Sequence, residues 1–528
     1  MTNKLYDTSL SLLTDLYQVT MAYGYWKTKT AEKEAVFNLY FRKNPFNGGF
    51  TIACGLANVI GYIENFSFSK KDLRYLRILT GNDEKPLFEE AFLDYLANLK
   101  LTCDIEAIPE GTVVFPNEPL VRVRGPILQC QLLETPLLNL INFESLIATK
   151  AARLRLVVEN DTLLEFGLRR AQGVDGGMTA SRAAYIGGCD ATSNVLAGKL
   201  YDIPVRGTHA HSWVMSFANE QEAFDAYAEV LPNNVILLVD TYDTLQGVRH
   251  AIETGRKLVK RGHKLAGIRL DSGDLAYLSI EARKLLDAAG FQDTAIVASN
   301  DLDETIISSL RQQGAKITVW GVGTKLVTAF DQPALGGVYK LAALRHERAD
   351  QPDNNASAGK PSEEADNETT DGLAHQATGH RVTDHWEYKM KLSEQAIKIS
   401  TPGIQQVRRF RDERGFMADM IYNLEGMDGS VSKSATMIDP LDFTKRRHFD
   451  AKQPHEDLLV PVFRSGKRVY DSPDIHTVRA RVQTQLANLH PGVKRFVNPH
   501  TYPVGLEKGL HKLKTKLILT LREGQTQD

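Results

Sequence analysis

The sequence lacks most of what would mark a secreted, membrane-bound or nucleic-acid-binding chain. It has only four cysteines in 528 residues. Cys54, Cys103, Cys130 and Cys189 lie far apart, form no C-x-x-C pair and sit in apolar or Gly-rich stretches, which excludes a disulfide framework and argues against structural zinc. Excess charge is also missing: 63 Lys and Arg against 65 Asp and Glu leave a net −2, so a nucleic-acid partner is not expected. No apolar run is long enough to cross a bilayer. The N-terminal MTNKLYDTSLSLLTDLYQVT has no positive start, unbroken apolar stretch or small-residue cleavage site. No internal repeat is present. The expectation is a soluble cytoplasmic protein with neither a membrane nor a nucleic-acid partner.

What the chain does have is length enough for two to four domains. Residues 1–150 mix a helical pattern (SLLTDLYQVTMAYGYW) with strand-like pieces (EAVFNLYF, VVFPNEPLVRVRG), and read as an N-terminal α+β domain. Over 151–345 short β-branched runs alternate with helical stretches, the rhythm of βα units. Those runs lack polar alternation, so the strands are covered on both faces and the sheet is parallel. Nearly every run ends in polar or glycine residues: Arg169 and Arg170, Thr208 and His211, Asp240 and Asp243, Arg269 and Asp271, Ser299 and Asn300, then Gly321, Gly323 and Thr324. Such groups converge on one rim. Convergence from six strands favours a TIM-like α/β barrel ring over an open sheet. Residues 346–385 are polar and almost free of large apolar side chains, and are expected to be a flexible insertion. Residues 386–440 then read as a return segment completing the N-terminal domain. Residues 441–528 read as a small C-terminal domain, whose basic residues are taken as a solvated face.

Several of the rim residues suggest phosphate chemistry. GVGTK at 321–325 follows a strand and precedes a helix-like stretch, so its N–H groups can form an anion nest, although a plain tight turn fits equally well. Gly336 and Gly337 can close the same pocket. In DSGD the carboxylates of Asp271 and Asp274 suit Mg²⁺ or a helix N-cap, with Asp271 the more functional of the two. VDTYDT has the same character, with Asp240 at a strand end and Asp243 capping. Phe166 can stack on a flat ring while Arg169 reaches a phosphate; core packing and a surface ion pair are the plainer readings. His209 and His211 in RGTHAHSW have no further metal ligands nearby. At a strand end each is as readily a satisfied structural group as a proton carrier or phosphoryl acceptor.

These motifs carry a resemblance. Across most of residues 10–440 the chain resembles the nicotinate phosphoribosyltransferase family, of the type II phosphoribosyltransferase group. The resemblance runs through LTDLYQVTMAYGYW, FRKNPFNGGFTIACGL, LLEFGLRRAQG, ASRAAYIGGCDATSN, GTHAHSW, VDTYDT, GIRLDSGDL and GVGTKLVTAFDQPALGGVYKL. It implies an irregular α/β barrel with an N-terminal α+β domain, and an active site at a homodimer interface. The implied activity joins nicotinate to 5-phosphoribosyl 1-diphosphate, giving nicotinate mononucleotide and diphosphate on the way to NAD, with Mg²⁺ and with ATP hydrolysed through a phosphohistidine.

By motif the phosphohistidine is His211, with His209 a supporting neighbour. Thr208 contacts nicotinate, Phe166 stacks on the pyridine, and Tyr17 reaches the site from the partner subunit. Arg169 binds the phosphoribosyl phosphate, and Arg269 lies over the pyridine. Asp240 and Asp271 sit beside the ribose and metal, while Gly321, Gly323, Thr324, Gly336 and Gly337 hold the 5-phosphate. Asp190 joins the substrate-binding set. Two alternatives are a nicotinamide or quinolinate phosphoribosyltransferase of the same fold, and a non-catalytic nucleotide-sensing homologue.

Overall fold

The computed structural model describes residues 9–345, 386–425 and 434–524; the expected insertion at 346–385 lies outside the described residues. Among the described residues no helix is long and apolar enough to cross a membrane. All four cysteines are free and buried.

The βα rhythm folds into a six-stranded parallel sheet, curled into a half-barrel. Its spatial order is Ala191–Thr192, Thr162–Glu165, Val319–Val322, Ala295–Ala298, Leu265–Leu270 and Val235–Leu238. These strands are short and apolar because both faces are covered. On the outside, helix Thr244–Lys260 buries one stripe, including Val248, Ala251, Ile252 and Leu258. It approaches the sheet so closely that a Cβ at Gly247 would lie 2.0 Å from the Val239 carbonyl. The helices that follow strands Val235–Leu238, Leu265–Leu270 and Ala295–Ala298 begin on aspartate caps: Asp243 accepts from Gln246 N, Asp274 from Ala276 N and Tyr277 N, and Asp303 from Thr305 N and Ile306 N. Capping occupies these second carboxylates and leaves Asp240 and Asp271, at the strand ends, for the rim.

A seven-stranded antiparallel sheet forms the N-terminal domain, in the order Trp386–Tyr388, Val338–Arg345, Glu34–Tyr40, Val121–Pro126, Asp104–Ala107, Val460–Arg464, Lys467–Arg468. Helix Glu134–Val158 runs from it into the half-barrel. The boundary expected at residue 150 therefore falls inside one continuous helix.

The expected return segment divides. Trp386–Tyr388 does complete the N-terminal sheet, but the hairpin Gln405–Asp412 and Gly415–Asn423 joins a third sheet with Ser434–Ile438, Arg446–Asp450, His455–Asp457 and Val504–Glu507. The physical reason is a polar pair that looks solvent-facing in sequence. Arg409 and Asp419 are both fully buried and bonded to each other, and Asp419 also accepts from the Tyr502 hydroxyl at 3.0 Å. The hairpin must therefore pack where residue 502 is. The C-terminal region in turn lends Val460–Arg464 to the N-terminal sheet.

Candidate active site

The carboxyl ends of the parallel strands surround a cavity of about 180 Å³, lined by Phe166, Arg169, Arg269, Asp271, Gly321, Gly323 and Thr324 together with Arg170, Ser299, Asn300 and Asp301. Seven of the expected site residues thus meet in one place. A larger cavity, about 710 Å³, opens at the opposite end of the sheet, where Leu265 begins its strand. Its cations Arg256 and Lys260 sit in the last turns of helix Thr244–Lys260, where they complement the helix dipole. The chemistry gathers at the smaller one.

Arg269 organises that cavity. Its Nε donates to Ser299 Oγ at 2.8 Å, Nη1 to Thr208 Oγ1 at 3.0 Å and Nη2 to Asp271 Oδ1 at 3.0 Å. Its guanidinium carbon lies 5.8 Å from the centre of the Phe166 ring. Every nitrogen of the fork is engaged, so the cation is held in one orientation.

Asp271 is the second hub, because Ser299 Oγ also donates to Oδ1 and His211 Nε2 stands 3.8 Å from Oδ2. Burial alone would raise the Asp271 carboxyl, but the Ser299 hydroxyl and the Arg269 guanidinium outweigh it and hold the group below its ordinary value. It is an anion at neutral pH. Beneath it, Asp240 Oδ2 accepts from Asp271 N at 2.9 Å and from Ser272 Oγ at 2.6 Å. Asp240 Oδ1 is buried with no hydrogen-bond partner among the described residues. An orphaned carboxylate oxygen beside a second carboxylate fits a hard cation, or a hydroxyl that donates to it.

His211 opens the short helix His211–Met215, and its Nδ1 lies 3.1 Å from Thr241 Oγ1. Arg169 and Arg170 lie in the turn Leu168–Arg170, both exposed and in no ion pair among the described residues. Across from them Asn300 and Asp301 both take positive φ, 88° and 42°. Strained non-glycine residues of this kind concentrate at working sites.

Three family models match the chain in sequence order. The nicotinate phosphoribosyltransferase N-terminal domain covers residues 12–142, the nicotinate phosphoribosyltransferase family model 162–387, and the C-terminal domain 404–514. The chain belongs to the nicotinate phosphoribosyltransferase family. It is 41% identical to the nicotinate phosphoribosyltransferase of Bacillus subtilis (strain 168) over 531 residues, 98% of each chain. It is 39% identical to that of Dictyostelium discoideum over 555 residues, 94% of this chain and 86% of the relative. Among solved structures it is similar to human nicotinic acid phosphoribosyltransferase, with a TM-score of 0.76 and 32% identity over 96% of this chain and 99% of the other. The C-terminal model begins at residue 404, where the third sheet begins.

Within this nicotinate phosphoribosyltransferase fold, some expected site residues lie elsewhere. Asp190 is a correction. It precedes its strand instead of following it, and so lies at the amino ends of the sheet, away from the rim. There it accepts from Leu163 N at 2.9 Å, from Arg155 Nη2 at 2.6 Å and from Arg479 Nη2 at 2.6 Å. It ties the half-barrel to helices Glu134–Val158 and Ile475–Ala487. Gly336 and Gly337 are not in the cavity wall, and Gly337 packs against Asn142, whose Oδ1 would be 2.2 Å from an added Cβ. Tyr17 stands half-exposed on helix Leu16–Lys27, near Glu134 and Asp15 and outside the cavity of its own chain.

Arg170, Ser299 and Asn300, on the rim by their strand-end positions, line the cavity with Asp301, which the sequence did not single out; none of the four had a specific binding role from the motifs. Among the described residues the one cluster with metal-ligand geometry is Cys54, Glu110 and Glu144. Arg182 already bridges its two carboxylates, at 2.7 and 2.8 Å.

Gly321 allows a close contact with the ring of Phe166. A Cβ there would meet the Phe166 ring at 2.7 and 2.9 Å. Gly321→Ala is therefore expected to push the ring off its strand and raise KM for the aromatic substrate about ten-fold with little change in Tm. An unchanged KM would show that Phe166 does not carry the substrate ring.

Proposed function

We propose that the chain joins nicotinate to 5-phosphoribosyl 1-diphosphate, releasing diphosphate and forming nicotinate mononucleotide, the entry of nicotinate into NAD synthesis, with ATP hydrolysed through phosphorylated His211. The observation that carries this is the Arg269 lattice. It fixes Thr208, Ser299 and Asp271 around the Phe166 ring and brings His211 to 3.8 Å from the same carboxylate.

The pyridine nitrogen displaces diphosphate at the anomeric carbon, and the sugar becomes positive while the leaving group becomes negative. Phe166 and Arg269 hold the ring, so that attack is in line. Asp271, already ionised, faces the developing positive charge. Arg169 and Arg170 are free to meet phosphate oxygens, and Gly323 and Thr324 offer backbone N–H groups at the adjoining turn. Asp240 and Asp271 would hold Mg²⁺, which when bound would neutralise the diphosphate.

For the ATP half-reaction, the imidazole tautomer that donates Nδ1–H to Thr241 leaves the Nε2 electron pair as nucleophile toward the γ-phosphoryl group. The P–N bond forms as the bond from the γ-phosphorus to ADP oxygen breaks, and water later returns the phosphoryl group as phosphate. The new charge of about −1.5 to −2 stands close to the diphosphate site and shifts affinities there.

A homodimer with shared sites accounts for Tyr17. Its surface has Glu134 in common with Lys340, and Lys340 lies in turn near Arg42 and Lys391. Among the described residues, buried Arg42 Nε and Tyr40 Oη have no hydrogen-bond partner, so this face suits the anionic end of a site on the partner. The working location is cytoplasmic.

The deciding experiment is mass spectrometry of products formed from 5-phosphoribosyl 1-diphosphate with nicotinate, nicotinamide or quinolinate, each with and without ATP. Nicotinate mononucleotide, stimulated by ATP, is expected. Turnover of nicotinamide or quinolinate alone would overturn the substrate, and no nucleotide product would overturn catalysis.

A further inference from the structure

The half-barrel has one gap, between the edge strands Ala191–Thr192 and Val235–Leu238. Residues 204–209 run through it. On one side they behave as a strand: Thr192 N donates to Pro204 O at 3.0 Å, and Arg206 N donates to Thr192 O at 3.0 Å. On the other side a side chain takes the place of a ladder. Leu238 N donates to His209 Nε2 at 3.2 Å.

An edge strand leaves every second N–H without a partner, and a buried one costs about 1–3 kcal/mol if nothing accepts it. The His209 imidazole is the acceptor here. Only 8% of the residue is exposed, and its ring packs edge-on to Tyr227 at 4.9 Å. Accepting through Nε2 places the proton on Nδ1, which faces the Ala210 carbonyl at 3.3 Å. Burial favours this neutral form, and the nearby Arg269 and His211 favour it further, outweighing the Ala210 carbonyl. The neighbours of His209 are the residues that need placing. Thr208 accepts from Arg269 at 3.0 Å, and His211 begins its helix with Nδ1 3.1 Å from Thr241 Oγ1.

We propose that His209 is a positioning residue: its neutral imidazole stands in for the missing strand pair, and so sets where Thr208 and His211 lie on the rim. The proposal rests on the reading of Thr208 and His211 given above, but the latch itself can be measured without the reaction.

The test compares His209→Gln, His209→Leu and His209→Asn in the full chain. Glutamine can put its amide oxygen where Nε2 is; leucine has no acceptor, and asparagine is too short to reach Leu238. The readouts are amide hydrogen exchange over residues 235–239 and steady-state kcat. Leucine and asparagine are expected to speed exchange at Leu238 about ten-fold or more and to lower kcat ten- to a hundred-fold. Glutamine is expected to restore both. Should the leucine variant fail to fold, the asparagine variant carries the comparison. The proposal is overturned if loss of the acceptor leaves exchange unchanged, if exchange rises while kcat stays at the wild-type value, or if glutamine is as impaired as leucine. A wild-type chain that makes no nucleotide would sink the assigned reaction, while the Leu238 amide would still report on the latch.

Discussion

Asp271→Asn is expected to lower kcat/KM about a thousand-fold, some 4 kcal/mol of transition-state stabilisation. The substitution keeps the shape of the side chain and removes its charge, which serves three neighbours at once. Arg269 Nη2 at 3.0 Å and Ser299 Oγ lose their anionic acceptor, and His211 Nε2, 3.8 Å away, loses its carboxylate neighbour. Arg269 is then a partly desolvated cation whose charge is unmatched, and a neutral amide acceptor holds it against Phe166 less firmly. The sugar's developing positive charge loses the same carboxylate. Because the Asp271 carboxyl lies below its ordinary value of 3.8, its contribution to stability is present above that value and fades as pH falls through the lower folded one. An acid limb in the wild-type rate profile near neutrality is thus not Asp271. The variant should melt within a few degrees of wild type at neutral pH. A kcat/KM within ten-fold of wild type would remove Asp271 from the transition state.

His211→Ala is expected to abolish acid-labile phosphate on the protein altogether, an all-or-none loss, and with it the stimulation by ATP. Some ATP-independent transfer should remain, because Phe166, Arg269 and Asp271 are untouched. The prediction distinguishes two histidines that look equivalent in RGTHAHSW. His209 is buried and uses Nε2 to accept from Leu238, whereas the His211 side chain is 40% exposed at the rim with Nε2 toward Asp271. Radiolabel from the γ-phosphate of ATP, followed through acid and base quenching, reads the outcome directly. Label retained in His211→Ala and lost in His209→Gln would reverse the assignment.

Much of the site was legible because βα architecture converts a local pattern into a spatial one. A polar residue that follows an apolar run lies at the carboxyl end of a parallel strand, and all such ends share a rim. Arg269, Asp271 and Gly321 were found this way, Phe166 came instead from the LLEFGLRR motif, and Asp243 and Asp274 are the caps their spacing suggested. The same rule could have excluded Asp190, which precedes its strand. Ser299 was visible at a strand end, but its importance was not. Its hydroxyl matters because it bridges Arg269 and Asp271, which are thirty and twenty-eight residues away.

By itself the sequence determined the class of fold, the family and the rim, since periodicity, turn residues and long motifs are local properties of the chain. Only the tertiary structure decided where the domains divide, because the Arg409–Asp419 pair is buried by a tyrosine that arrives eighty-three residues later. It also decided the difference between the two histidines. Nothing within RGTHAHSW says which imidazole faces solvent; that follows from a gap between two edge strands far apart in sequence, and from the N–H of Leu238 that needs an acceptor there.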